Sequence, residues 1–286
     1  MLEGRRAAPP RSMGTALLMV PAFVMLGVVF LGPLVWFLDQ TLFADPDAAP
    51  LWPHIVAVVT SRAMVQAMIT TNWIAALVTA TVLVLGYPIA FYLANNRGAR
   101  FTLVVFCIIV PYFTSIIVRT YSWMVLLGRT GLINQTLRAL GLIDAPLPLL
   151  YNKFAIVIGM SYVLLPYMAL TLFAAMRAID PNLLRAARGM GASKAMVFRR
   201  VYLPLSMHGV ISGALIVFIL ALGFFITPAL MGGPSDVMVA TLIERSVEIT
   251  LDWTSAAIMS LFLLAVTLAL YAIYYRMTDL RRLMGA

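Results

Sequence analysis

The chain has 286 residues, 63% of them hydrophobic and only 11% charged, with a mean hydropathy of +0.98 and a formal net charge of +9. Soluble domains carry about 25% charged residues, so this composition excludes a water-soluble globular protein and identifies an integral membrane protein. A single cysteine, Cys107, excludes an intrachain disulfide and a cysteine-based metal cluster; its place in an apolar run assigns it to packing.

Apolar runs of about 20 residues cross the ~30 Å hydrocarbon core as helices, because in lipid only a helix or a closed barrel satisfies its own backbone polar groups. The sequence predicts six such spans, at 15–38, 71–94, 101–127, 154–176, 210–231 and 253–275, and none shows the alternation of a barrel strand. The first follows a basic stretch as in a signal peptide, but its apolar run continues through Trp36 without a small-residue cleavage site and reads as an uncleaved span. Next comes an irregular, solvated loop, 39–61, containing "ADPDAAPLWPH", with "HIVAVVTSRAMVQAM" able to start a helix ahead of the second span. "NNRGAR" is a tight basic turn, and leucines at helical spacing within 128–153 predict a short amphipathic helix at 132–140. The whole reads as one all-α transmembrane domain at 15–276, with a loop at 177–205 and tails at 1–14 and 277–286.

The charge reflects topology rather than affinity for nucleic acid. Placing both termini in the cytoplasm puts Arg5, Arg6, Arg11, Arg97, Arg100, Arg177, Arg185, Arg188, Lys194, Arg199, Arg200, Arg276, Arg281 and Arg282 on that side. The outer side then holds Arg62, Arg119, Arg129, Arg138, Lys153 and Arg245, with the acids Asp39, Asp45, Asp47, Asp144, Asp236, Glu244, Glu248 and Asp252.

Signs of catalysis are lacking. No phosphate-binding loop occurs, the two histidines His54 and His208 fall in different compartments, and Ser206 has no triad spacing with His208. The acids lie in loops or at span ends, against the pattern of an ion-coupled carrier, although a stand-alone secondary transporter or channel remains the alternative class. Arg119, with Tyr112, Tyr121 and Trp123 around it and Phe225 further on, either lines a substrate path or snorkels to the outer interface.

The most specific segment is residues 185–204, "RAARGMGASKAMVFRRVYLP". Asp180 and Pro181 read as an N-cap and first helical position, Gly191 interrupts, Ser193 caps a second short helix, and Pro204 stops that helix before the next span. Leu183, Leu184, Ala187 and Met190 fall on one side of the first piece, for packing onto the bundle. The result is a helix-turn-helix elbow.

This segment resembles the signature loop of binding-protein-dependent ABC importer permeases, in which Glu-Ala-Ala is followed after three residues by Gly and after nine more by Ile-x-Leu-Pro. Ala186, Ala187, Gly191, Leu203 and Pro204 match at that spacing, Val201 replaces Ile, and Arg185 stands where the family carries glutamate. "VPYFTSIIVRTYSWMVLLGRTGLIN", "YVLLPYMALTLFAAMRAIDPNLLRAARGMGAS" and "PALMGG" extend the resemblance to the spermidine/putrescine-type permeases over residues 15–280. It implies a six-helix type I ABC importer (MetI-like) permease fold in a bacterial inner membrane. The implied partners are a second permease subunit, two ATPase subunits holding ATP and magnesium, and an extracytoplasmic solute-binding protein. This chain itself would be non-catalytic, with no cofactor or metal.

By that resemblance the elbow couples to an ATPase. Ala186, Ala187, Gly191 and Ala192 would allow close approach, Arg185 and Arg188 would meet acids, Ser193 would cap the second helix, and Leu203 and Pro204 would fix the exit. Asp236, Glu244, Glu248 and Asp252 would dock the binding protein or face the cargo. The implied cargo is a polyamine, with an opine, amino acid derivative or other small organic compound as the alternative. Ala229 occupies a position where polyamine permeases can carry an acid.

Overall fold

The computed structural model describes residues 13–43 and 51–283, and it divides into two compact units, residues 1–56 and 57–286. Arg5, Arg6, Arg11, Asp45, Asp47 and most of the expected N-terminal tail lie outside the described residues.

In the first unit α1 (Met13–Leu26) and α2 (Gly32–Leu42) are joined by a π-helical turn at Gly27–Leu31. Pro33 follows that turn, whose wider i→i−5 hydrogen bond, Gly32 N–H to Gly27 O, makes room for a ring that would crowd an α-helix. A short apolar helix, α3 (Leu51–Thr60), leads to the second unit.

The second unit is built on α4 (Arg62–Asn95), whose N-cap Ser61 accepts from the Met64 amide. After the turn at Gly98, α5 (Ala99–Ile109) passes into a 3₁₀ turn at Val110–Phe113, and α6 (Ile116–Leu127) leaves at 105°. The expected third span is therefore broken. Pro111 cannot donate to an α-helical ladder, and Thr114 and Ser115 adopt extended backbone, with the Thr114 amide and hydroxyl both donating to the Pro111 carbonyl.

The short outer helix α7 (Leu132–Ala139) forms as its leucine spacing predicts. Fully buried Asn134 closes the loop around it, with Nδ2 donating to the carbonyls of Gly128 (3.0 Å) and Leu147 (3.1 Å) and Oδ1 accepting the Leu147 N–H at 2.8 Å. A single amide side chain thereby replaces the backbone pairing this irregular stretch lacks.

Asn152 caps α8 (Lys153–Arg177), after which come α9 (Pro181–Gly189), α10 (Lys194–Val197) and α11 (Leu203–Leu222). Pro204 does not stop the helix: residues 194–222 run through it. A second π turn, Phe198–Tyr202, precedes the proline as at Pro33, with Leu203 N–H bonded to Phe198 O. The fifth span also ends at Leu222, before the expected 231, because Gly223 leaves the helix and α12 (Ile226–Met231) is a separate short element.

Amphipathic α13 (Val239–Glu248) and α14 (Trp253–Leu283) complete the chain; α14 continues beyond Tyr275 into what was expected as a tail. Among the described residues, five helices are long and apolar enough to cross a membrane, or six when the bent pair counts as one.

The core is the seam between α4, α8 and α11, where Ile74, Val78 and Val82 meet Met160, Leu164, Met168 and Leu172 and then Val217 and Ala221. Lipid tails are as apolar as leucine, so close van der Waals contact rather than water exclusion holds such helices together. Small residues provide the closeness. A Cβ on Gly86 would lie 3.1 Å from Met168 Cγ, one on Gly213 2.8 Å from Met168 Sδ, and one on Gly209 2.5 Å from Ala175 Cβ. At the other end of α8, Gly159 admits α12 so closely that a Cβ would meet Thr227 Cγ2 at 2.6 Å.

Gly209→Leu is expected to destabilise the detergent-purified protein by about 1–3 kcal/mol through overpacking, seen as a lower unfolding temperature, whereas Gly189→Ala, whose new Cβ meets nothing within 4 Å, leaves it unchanged or raised. Asn134→Ala strands three backbone groups and is expected to cost about 1–3 kcal/mol, with hydrogen-exchange protection lost at the Leu147 amide.

Candidate functional site

The elbow between α8 and α11 is capped at each of its corners. Asp180 accepts from the Asn182 amide at 2.9 Å with Pro181 as first helical residue, and Ser193 accepts from the Met196 amide at 3.3 Å. Between them α9 ends in a Schellman arrangement, in which Gly191 N–H bonds to Arg188 O (2.9 Å) and Ala192 N–H to Ala187 O (3.2 Å). Gly191 sits at φ +84°, and a Cβ there would meet nothing within 4 Å. The glycine is required by backbone conformation, not by space.

The turn sorts the side chains. Arg185, Ala186, Arg188 and Met190 are exposed, as are Lys194 and Met196, whereas Leu184 packs on the core, Ala187 is buried and Ala192 is half-buried. Ala187 therefore faces this chain's own bundle and is unavailable to another subunit. Leu183 and Met190, expected to pack inward, point out, Met190 with 82% of its surface exposed. Leu203 is half-buried and Pro204 exposed at the start of α11, and Pro204 serves as a passage through the π turn rather than as a stop.

The residues considered for a substrate path separate into two places. Tyr112 and Arg119 line a cavity of about 280 Å³ with Cys107, Tyr162 and Pro166. Arg119 Cζ lies 5.9 Å from the Tyr112 ring centroid, Tyr112 packs edge-on to Tyr167 at 5.4 Å, and Arg119 Nε is buried without a hydrogen-bond partner among the described residues. Trp123 packs on Tyr162 behind this cavity at 5.8 Å, and Tyr121 is exposed outside it. Cys107 is exposed and borders the cavity, so it lies outside this chain's own core.

Phe225 lines a second cavity of about 580 Å³, between the end of α11, α13 and α14, together with Glu244 and Glu248. These two carboxylates stand one helical turn apart on α13 and face the same space. The other two acids considered for docking have structural tasks. Asp236 is only 5% exposed, accepts from Gly233 N–H and Ser235 Oγ at 3.3 Å, and lies 4.0 Å from Lys153 Nζ, so it cannot serve as a docking group. Asp252 accepts from the Ser255 amide at 2.9 Å and caps α14. Among the described residues no three His, Cys, Asp or Glu side chains gather as metal ligands.

Sequence reasoning missed the polar ties that hold the elbow's surroundings. Ser206, considered only as a nucleophile, is fully buried 2.9 Å from the Tyr87 hydroxyl, and Arg177 donates to the Ala94 carbonyl at 3.0 Å. Tyr87 follows an aliphatic stretch, 82–86, and a tyrosine hydroxyl entering such a span must find a partner; that is the available signal.

Residues 86–282 match the family described as binding-protein-dependent transport system inner membrane component. The spermidine/putrescine transport system permease protein PotB of Escherichia coli (strain K12) is 36% identical over 206 residues, covering 72% of this chain and 75% of that one. PotB of Haemophilus influenzae is 35% identical over 198 residues, 69% of each chain. A solved bacterial alginate ABC transporter, crystallised in complex with an alginate pentasaccharide-bound periplasmic protein, superposes with a TM-score of 0.72 over 96% of both chains at 17% identity, which establishes the shared fold. The chain is thus a multi-pass, all-helical membrane protein with the fold of an ABC importer permease, and it belongs to the family of binding-protein-dependent transport system inner membrane components.

Proposed function

We propose that this permease works in the bacterial inner membrane with both termini cytoplasmic, paired with a second permease subunit, two ATPase subunits that bind ATP and magnesium, and an extracytoplasmic solute-binding protein. The observation that carries this reading is the elbow itself. Two capped helices and a Schellman turn hold Arg185, Ala186, Arg188 and Met190 outward on a rigid scaffold, which is wasted on a mere topological loop but suits transmission of force. Arg185 and Arg188 call for an acidic groove on the ATPase, where a glutamate at position 185 would call for a base.

For the cargo, a polyamine such as spermidine or putrescine is the first choice, supported by the named relatives and by the second cavity. Glu244 and Glu248 attract cationic amines, and Phe225 offers an aromatic face to a cation. Arg119 supports a second reading. A guanidinium whose buried Nε has no partner among the described residues, beside Tyr112, favours a cargo that also bears a carboxylate, such as an opine or amino acid derivative.

The test is copurification and uptake. An ATPase is expected to copurify with the permease, and proteoliposomes supplied with the cognate binding protein should take up labelled spermidine or putrescine only with ATP. Reversing the outward charges in an Arg185→Glu, Arg188→Glu variant is expected to lower ATPase recovery more than about tenfold, while size-exclusion behaviour is unchanged. Uptake driven by an ion gradient without any ATPase would overturn the importer reading in favour of a secondary transporter or channel.

A further inference from the structure

Both ends of the elbow are fastened to the same piece of α4. Before the elbow, Arg177 Nη1 donates to the Ala94 carbonyl at 3.0 Å. After it, Phe198 and Tyr202 of the π turn stack at 6.0 Å, and Phe91 meets both edge-on, at 5.7 and 5.0 Å. Tyr87 stands edge-on to Phe198 at 6.3 Å. Ser206 Oγ donates to the Leu203 carbonyl at 2.9 Å, so in its 2.9 Å contact with Tyr87 the tyrosine hydroxyl is the donor. Asn95 Nδ2 reaches the Tyr202 hydroxyl at 3.5 Å.

Ser206 and Tyr202 are buried, so breaking these bonds would strand polar groups away from water. The covalent route from the elbow into α11 runs through the π turn, closed by the wider i→i−5 bond of Leu203 N–H to Phe198 O.

We propose that the elbow and the cytoplasmic end of α4 form one rigid body, with Tyr87, Arg177 and Ser206 as positioning residues that pass elbow displacement into α4. The proposal rests on the importer reading. With 34 residues at 1.5 Å each, α4 is about 50 Å long; Pro88 removes one bond of its ladder between the Phe91 and Ala94 ties and the outer half, so the Tyr87–Ser206 contact, just outward of that proline, is the tie through which displacement reaches the outer half. Near its outer end the fully buried Thr71 accepts the N–H of Val239, first residue of α13, at 2.9 Å. Glu244 and Glu248 sit on α13, so the wall of the outer cavity is two hydrogen-bonded joints away from the elbow.

The experiment uses the complex that copurifies with the permease, in a Cys107→Ser background, with spin labels on Arg97→Cys and Met190→Cys, and in a second sample on Met190→Cys and Leu268→Cys; all three sites are exposed. Between nucleotide-free and ATP-trapped states, the 97–190 distance is expected to keep one unchanged peak while the 190–268 distance shifts. Tyr87→Phe combined with Arg177→Met should broaden the 97–190 peak and lower labelled spermidine taken up per ATP hydrolysed by about tenfold, while Ser206→Thr, which keeps the hydroxyl, retains both. A 97–190 distance that shifts with nucleotide, or a Tyr87→Phe, Arg177→Met complex with an unchanged peak and ratio, overturns the proposal. If neither pair responds to nucleotide, the importer reading falls and takes the proposal with it, a result distinguishable from the other two.

Discussion

Met168 lies against two glycines at once, Gly86 of α4 and Gly213 of α11, and the closeness of that contact sets where the other elements of the second unit go. A bilayer gives helices no solvent-exclusion energy for coming together, so the three-helix seam depends on surfaces that fit, and a thioether between two bare backbones fits at short range. The elbow is strung between the ends of α8 and α11, so the spacing of those two helices fixes its two attachment points. At the far end of α8, Gly159 does for α12 what Gly86 and Gly213 do for Met168, and Thr227 then reaches the Thr120 hydroxyl of α6 at 3.3 Å.

Local chemistry was readable and its tertiary consequences were not. Asp180, Pro181, Gly191 and Ser193 act within four residues of themselves, and each does what its type and spacing imply. The amphipathic outer helix was legible for the same reason. Pro204 was misread because the rule that proline ends a helix assumes an α-helical ladder, and a π turn immediately before it removes the clash. The break after Pro111 needed two consecutive extended residues, Thr114 and Ser115, which hydropathy does not register inside an apolar run. Helical spacing places Ala187 on the bundle-facing side, where it is buried, but puts Leu183 and Met190 on a side they do not occupy; the path of the turn decides that sorting.

The outer acids show how one residue type divides by environment. Of the four acids considered for docking, Asp236 is drawn into a turn beside Lys153, Asp252 closes the first turn of a helix, and Glu244 and Glu248 are directed into a cavity. The net charge of such a loop says little about what it can bind; the free carboxylates do. Arg119 is the inverse case, a charge that no described acid answers, and its neighbours are aromatic rings.

The π turn at Phe198–Tyr202 holds one more residue per hydrogen-bonded ring than an α-helix would. Each residue of an α-helix turns the chain by about 100°, so the extra one sets the azimuth of the elbow relative to the bundle-facing side of α11. A single-residue deletion there would leave hydropathy, span length and every cap intact, yet would swing the outward arginines by more than a quarter of a revolution. The orientation of this surface is thus stored in a count of residues rather than in any one side chain.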